Sequence, residues 1–316
     1  MIDRVYHLFG VPLRTGSLMP GSENDAQPYR DAGLIDRLQA AGCRVVDDGN
    51  VALPSYLPHH SIPPIRSWPG PRIAWELVGD RIQPILAQRG HVPLLIGCDC
   101  SIVVATTQAL MRATSGDGDG ADRDADADDV HVIYVDGDFD DAAPRADQCQ
   151  SAAAMALWLA MHGEPFRAGP GLKPSNVSVI GWTNGSATST GAAAGANRGA
   201  HSGDGENSGM RSYSLADIRR AGARATAQRA LDAIPKSASI VLHFDIDVFK
   251  QSELPAAYFP HVDGLTLAEG TDLLAAILQD PRIRIIEITE YASLRDLDQR
   301  CVTQLVDLLV RGLQRT

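Results

Sequence analysis

Short apolar runs rich in Val and Ile recur along the chain at 5–11, 44–47, 93–96, 131–135, 177–180, 239–244 and 283–288. They are continuous rather than alternating, the pattern of strands covered on both faces. Between them, apolar positions return with a helical period over 31–41, 74–88, 102–113, 151–161, 215–233, 267–279 and 297–313. Strands alternating with helices predict an α/β fold, a three-layer αβα architecture around a mostly parallel central sheet. Ligands of such sheets collect outside the carboxyl ends of the strands, so the residues just past each apolar run become the candidates for chemistry. The longest unbroken apolar stretch, 152–161, has ten residues, half of the roughly 20 that a bilayer span requires, and predicts a buried helix.

Two segments break the pattern. Residues 114–129 hold seven Asp and one Arg with no Val, Leu, Ile or aromatic residue, and 184–210 is dominated by Gly, Ala, Ser and Asn. Neither can bury enough apolar surface to offset the entropy of ordering, and both predict disordered insertions in a single domain spanning 1–316. The Asp-Gly texture of 114–129 resembles a calcium loop. An EF-hand loop, however, ends in a Glu between flanking helices, and a solvated loop is the stronger reading. This tract accounts for more than half of the net charge of −11. The acidic balance argues against nucleic acid or an anionic membrane as partner. Five Cys without paired spacing, and a start in which Asp3 and Arg4 interrupt any apolar signal run, predict a cytoplasmic protein.

Four of the predicted strands lead into acid- or thiol-bearing segments: Gly97-Cys98-Asp99-Cys100-Ser101, Asp136-Gly137-Asp138-Phe139-Asp140, His243-Phe244-Asp245-Ile246-Asp247, and Glu287-Ile288-Thr289-Glu290. Alternation along an extended segment would place Asp136, Asp138 and Asp140 on one side, and Asp245 with Asp247. A lone D-x-D is usually surface decoration; two of them, each directly after a buried strand, point to a divalent cation that offsets their repulsion. His243 reads as a packed residue, and Cys98 and Cys100 taken alone as buried small side chains.

In this order and after these strands, the segments resemble the signatures of the arginase/agmatinase (ureohydrolase) family: G-G-D-H-S, D-A-H-x-D, S-x-D-x-D and a late Glu. Phe9-Gly10-Val11-Pro12, Asp31-Ala32-Gly33-Leu34, Ile180-Gly181 and Ser214-Leu215 extend the likeness over nearly the whole chain. The resemblance implies two Mn2+ per chain bridged by hydroxide. Cys100, Asp136, Asp140 and Asp245 would hold one metal, and Asp136, Asp138, Asp245 and Asp247 the other. Glu290 would orient a guanidinium, and Asp140 would hold the attacking oxygen. The implied product is urea or hydroxyurea plus an amine; the implied partner is a small guanidino substrate such as arginine, N-hydroxyarginine or a biosynthetic intermediate. The implied assembly is a homo-oligomer, trimer or hexamer.

Two positions depart from the family pattern, because Cys100 and Asp138 stand where it has His. Cys at the first position is similar to the hydroxyarginine hydrolase branch, which retains the second His. Each replacement adds negative charge to the ligand set, leaving a bound water less acidic. Cys100 is a soft ligand that favours Zn2+ or Fe2+, whereas Asp138 makes its own pocket all oxygen and suits Mn2+ or Mg2+. Ser151 to Ala156 also lacks three acids of the pattern. These losses support an alternative, an arginase-like pseudoenzyme with weak or no metal binding that serves as scaffold or regulator. A mononuclear deacetylase-like hydrolase is disfavoured, because its site needs an imidazole where Asp138 stands.

Overall fold

A computed structural model describes residues 4–12, 24–114, 129–183 and 209–314. The two low-complexity tracts therefore lie outside the described residues except at their ends. Eight strands, β1 (Val5–Gly10), β2 (Arg44–Asn50), β3 (His91–Cys98), β4 (Val130–Val135), β5 (Val177–Ile180), β6 (Arg211–Tyr213), β7 (Ser239–Asp245) and β8 (Ile283–Thr289), form one sheet. Its order is β2-β1-β3-β8-β7-β4-β5-β6, and every pairing is parallel. Strand β6, Arg-Ser-Tyr at the edge, is too short and polar to register as an apolar run.

Nine helices cover the sheet: α1 (Gln27–Asp31), α2 (Leu34–Ala40), α3 (Gly70–Leu86), α4 (Ile102–Thr114), α5 (Ala156–Met161), α6 (Leu215–Ala221), α7 (Ala223–Asp232), α8 (Leu267–Leu278) and α9 (Arg300–Leu313) among the described residues. One core packs β-sheet residues such as Leu94 and Leu242 under Leu38, Leu231, Leu274 and Leu305. The other packs Leu95 and Val241 under Val78, Ile82, Val104 and Leu157. These two cores separate the three predicted layers, with α3, α4 and α5 on one face and the remaining helices on the other.

Local chemistry sets the element ends. Helix α3 begins four residues before the periodic pattern because Pro71 suits the first turn, where its missing N–H costs nothing. The predicted helix over 215–233 is two helices, divided at Gly222. Ser214 with Asp217, and Thr266 with Glu269, form reciprocal capping boxes at the starts of α6 and α8. The apolar stretch 152–161 is a 3-10 turn followed by α5, buried as expected. No helix among the described residues is long and apolar enough to cross a membrane.

The sheet order matters most for chemistry. Strands β3, β8, β7 and β4 are consecutive neighbours at its centre, and these are the four that carry the acid- and thiol-bearing segments. Parallel pairing puts all four carboxyl ends on one edge. Residues as far apart in sequence as Cys100 and Glu290 are thereby brought into contact.

Candidate metal centre

The floor of the site is a row of side chains in register across three strands. Tyr134 on β4 pairs with His243 on β7, and His243 pairs with Glu287 on β8. The Tyr134 and His243 rings stack with centroids 4.1 Å apart and planes within 3°. His243 Nδ1 lies 2.6 Å from Glu287 Oε2, and His243 Nε2 lies 3.3 Å from Thr289 Oγ1. The Tyr134 hydroxyl donates to Asp140 Oδ2 at 2.7 Å.

With His243 of this row, Cys100, Asp136 and Asp245 present donor atoms within 4.8 Å of one another, and all four residues are buried. The Cys100 thiol donates to Asp245 Oδ2 at 2.7 Å and lies 3.7 Å from Glu290 Oε1. Glu290 Oε1 also accepts the Cys100 backbone N–H at 3.3 Å. Burial, reinforced by Asp245, pushes the Cys100 thiol up. Burial likewise raises the carboxyls of Asp136, Asp140, Asp245 and Glu290, with neighbouring acids adding to the effect.

A second group lies one step outward. Asp138, Asp247 and His261 also present donor atoms within 4.8 Å of one another, with Asp138 the more exposed member. The two groups are joined through the backbone. Asp138 N donates to Asp136 Oδ1 at 2.6 Å, Asp247 N donates to Asp245 Oδ1 at 2.7 Å, and Gly137 N donates to Asp247 Oδ1 at 3.1 Å.

The expectation that each D-x-D keeps its acids on one side is corrected by the backbone. Strand β4 stops at Val135, and the chain turns into a 3-10 helix over Ile246–Val248 directly after β7. Alternation therefore ends before the second acid of each pair. Asp136 and Asp245 face the inner group and Asp138 and Asp247 the outer one. Asp140 belongs to neither donor group but sits beside Cys100 and under the Tyr134 hydroxyl. Sequence reasoning missed His261 as a member of the site. It stands in the loop between β7 and α8, outside any motif or periodic run.

Two glycines and two strained residues shape the rim. Gly97 has φ +77°, and a Cβ there would sit 2.7 Å from the Ala26 backbone nitrogen, so the turn out of β3 needs glycine. Gly137 is the second, its missing side chain leaving space that the His261 ring fills. Asp140 (φ 48°) and Glu290 (φ 61°) are two of four non-glycine residues with positive φ among the described residues. Such conformations cost on the order of 1–3 kcal/mol each and cluster at functional sites. The Asp140 carbonyl accepts Leu157 N, and the Glu290 backbone bonds both Cys98 and Tyr258, which hold these conformations in place.

The donor set fits divalent metal. At an effective dielectric of 20, two unit charges 4 Å apart repel by about 4 kcal/mol, so this many carboxylates cannot all be ionised together without a cation. Asp136 Oδ2 and Glu290 Oε2 are buried without a hydrogen-bond partner among the described residues, a state that costs free energy unless another group meets them.

The arginase family matches residues 5–312 of the sequence. No curated protein matches the chain by sequence. By structure it is similar to an arginase from Bacillus cereus (TM-score 0.77, 20% identity, 99% of each chain covered). It is also similar to Entamoeba histolytica arginase in complex with L-ornithine (TM-score 0.79, 16% identity, 98% of each chain). A third similar structure is Trypanosoma cruzi formiminoglutamase with Mn2+ (TM-score 0.71, 18% identity, covering 99% of this chain and 92% of that one). With a family match over nearly its whole length and the all-parallel fold to go with it, the chain belongs to the arginase family.

Proposed function

We propose that the protein is a binuclear-metal hydrolase that cleaves a C–N bond of a guanidino or related amidine compound. The observation that carries this reading is the pair of adjoining donor groups at the carboxyl edge of the sheet, with Asp136 Oδ2 and Glu290 Oε2 left unpartnered beside them. Cys100, Asp136, Asp140 and Asp245 would hold one metal, and Asp138 and Asp247 the other, with Asp136 and Asp245 shared. A divalent pair bound there supplies Lewis acidity and lowers the pKa of water.

The chain's own residues would do the rest. Glu290 Oε2 is the free acceptor for a guanidinium N–H, because Oε1 is occupied by the Cys100 backbone. Asp140 is anchored through Oδ2 by Tyr134, which fixes its carboxylate where it would hold its metal and keep the attacking oxygen in position. Phe139, between Asp138 and Asp140, packs edge-to-face on Trp182 at 5.1 Å and supplies an apolar wall that helps to exclude water.

The test is product release from a panel of arginine, N-hydroxyarginine, other guanidino compounds and a formimino compound, each with Mn2+, Fe2+ or Zn2+ added. Urea, hydroxyurea or formamide should appear with at least one pair. Complete metal loading with no turnover would overturn the reading. One contact favours a second reading, a scaffold without metal: the Cys100 thiol closes the inner group by donating to Asp245. Protein that retains no metal after purification and reconstitution would establish it.

A further inference from the structure

The loop between β7 and α8 is tied to the site by backbone pairing. Gln251 N donates to the His261 carbonyl at 2.7 Å, Lys250 N donates to Leu265 O at 3.0 Å, and Leu265 N donates to Val248 O at 2.8 Å. This fixes His261 beside the Ile246–Val248 turn that carries Asp247. His261 Nε2 lies 3.5 Å from Asp138 Oδ2 and 3.6 Å from Asp247 Oδ2. A charge-assisted N–H···O bond would bring such atoms to about 2.7–2.9 Å. Donors sharing a tetrahedral ion at about 2.0–2.2 Å stand roughly 3.4 Å apart, close to both distances from His261 Nε2. The backbone makes room for the ring, since a Cβ at Gly137 would lie 2.5 Å from His261 Cδ2 and 2.8 Å from Nε2. Gly137 N also occupies Asp247 Oδ1, which leaves Oδ2 for the side that His261 faces. The pocket is lined by His261 and Asp247, both about nine-tenths buried, and opens past the 47% exposed Asp138 side chain.

We infer that His261 is a metal ligand, completing with Asp138 and Asp247 a mixed nitrogen–oxygen pocket for the outer divalent cation. This rests on the reading of the site as a binuclear centre and changes its chemistry. An imidazole in an otherwise carboxylate pocket shifts its preference from Mg2+, Ca2+ or Mn2+ toward Fe2+ and Zn2+, while still allowing Mn2+ to bind. The imidazole comes from a loop rather than from a strand-end motif.

The experiment is calorimetric titration of chelator-stripped, full-length protein with Mn2+. Wild type should bind about two ions per chain and His261→Ala about one, with the remaining site's affinity unchanged. Two ions bound by His261→Ala with wild-type affinities would overturn the inference while leaving the binuclear reading intact. A wild type that binds no Mn2+, Fe2+ or Zn2+ would overturn both. Should His261→Ala fail to fold, wild-type protein answers the question through diethylpyrocarbonate labelling read by peptide mass spectrometry. His261 should be modified in stripped protein and protected once two Mn2+ are bound; equal labelling in both states would overturn the inference.

Discussion

The inner and outer donor groups lie side by side, yet they are built in different ways. The inner group stands on strand ends and takes in His243 from the in-register row Tyr134, His243 and Glu287, and every member is buried. The outer group stands beyond the strands, on the 136–140 segment, the 3-10 turn after β7 and the loop carrying His261, and it opens toward solvent at Asp138. A pocket held by parallel registry resists change in shape. A pocket held by loops and one glycine contact is more readily altered, and access for a substrate is natural there.

The largest effect that probes this contrast is expected at the shared acids. Asp245→Asn should empty both pockets and lower turnover by more than about 10³-fold, the scale on which removing an electrostatic catalyst is felt; Asp247→Asn should empty only the outer one. Metal analysis of the two variants checks this, and equal metal loss in both would erase the distinction between pockets. Next, Glu290→Gln should lower kcat/KM by about 10²–10³-fold with both metals retained, measured by steady-state kinetics beside elemental analysis. His243 is one of the four inner donors; Glu287→Gln removes the carboxylate that orients it and, where His243 meets the inner metal, should weaken that metal by about 10–100-fold without touching the outer one, as read by competitive chelation.

The pH dependence of stripped protein tests the crowding itself. Asp136, Asp140, Asp245 and Glu290 are raised in the folded state by burial and by one another, so above about pH 4 the folded chain holds more protons than the unfolded one. Stability must then fall as pH rises through the raised folded values, by up to about 1.4 kcal/mol per unit for each group still protonated. Tm without metal should be lower at pH 8 than at pH 5, and added Mn2+ should stabilise more at pH 8. A Tm that climbs with pH in stripped protein would contradict the account. The smallest expected change is Gly137→Ala, whose Cβ would displace the His261 ring and weaken outer-pocket binding less than His261→Ala does.

The same contrast explains what the sequence discloses. Strands, layers and the four chemistry-bearing segments are legible because a buried parallel strand must be a continuous apolar run and its carboxyl end must face the ligand. The all-parallel order, with β8 and β7 between β3 and β4, is set by tertiary packing and leaves no trace in any single run. The separation of Asp136 from Asp138, and of Asp245 from Asp247, is hidden because period-two alternation holds only while the chain is extended. His261 is hidden because its position depends on loop pairing at Lys250, Gln251 and Leu265 and on the missing side chain of Gly137, relations that no motif spacing carries.

The most direct test of the two-pocket centre is an anomalous difference map from crystals of the protein equilibrated with Mn2+. Two peaks are predicted, one among Cys100, Asp136 and Asp245 and one among Asp138, Asp247 and His261. A map with no peak at the carboxyl edge of β3, β8, β7 and β4, under saturating Mn2+, would contradict the central claim.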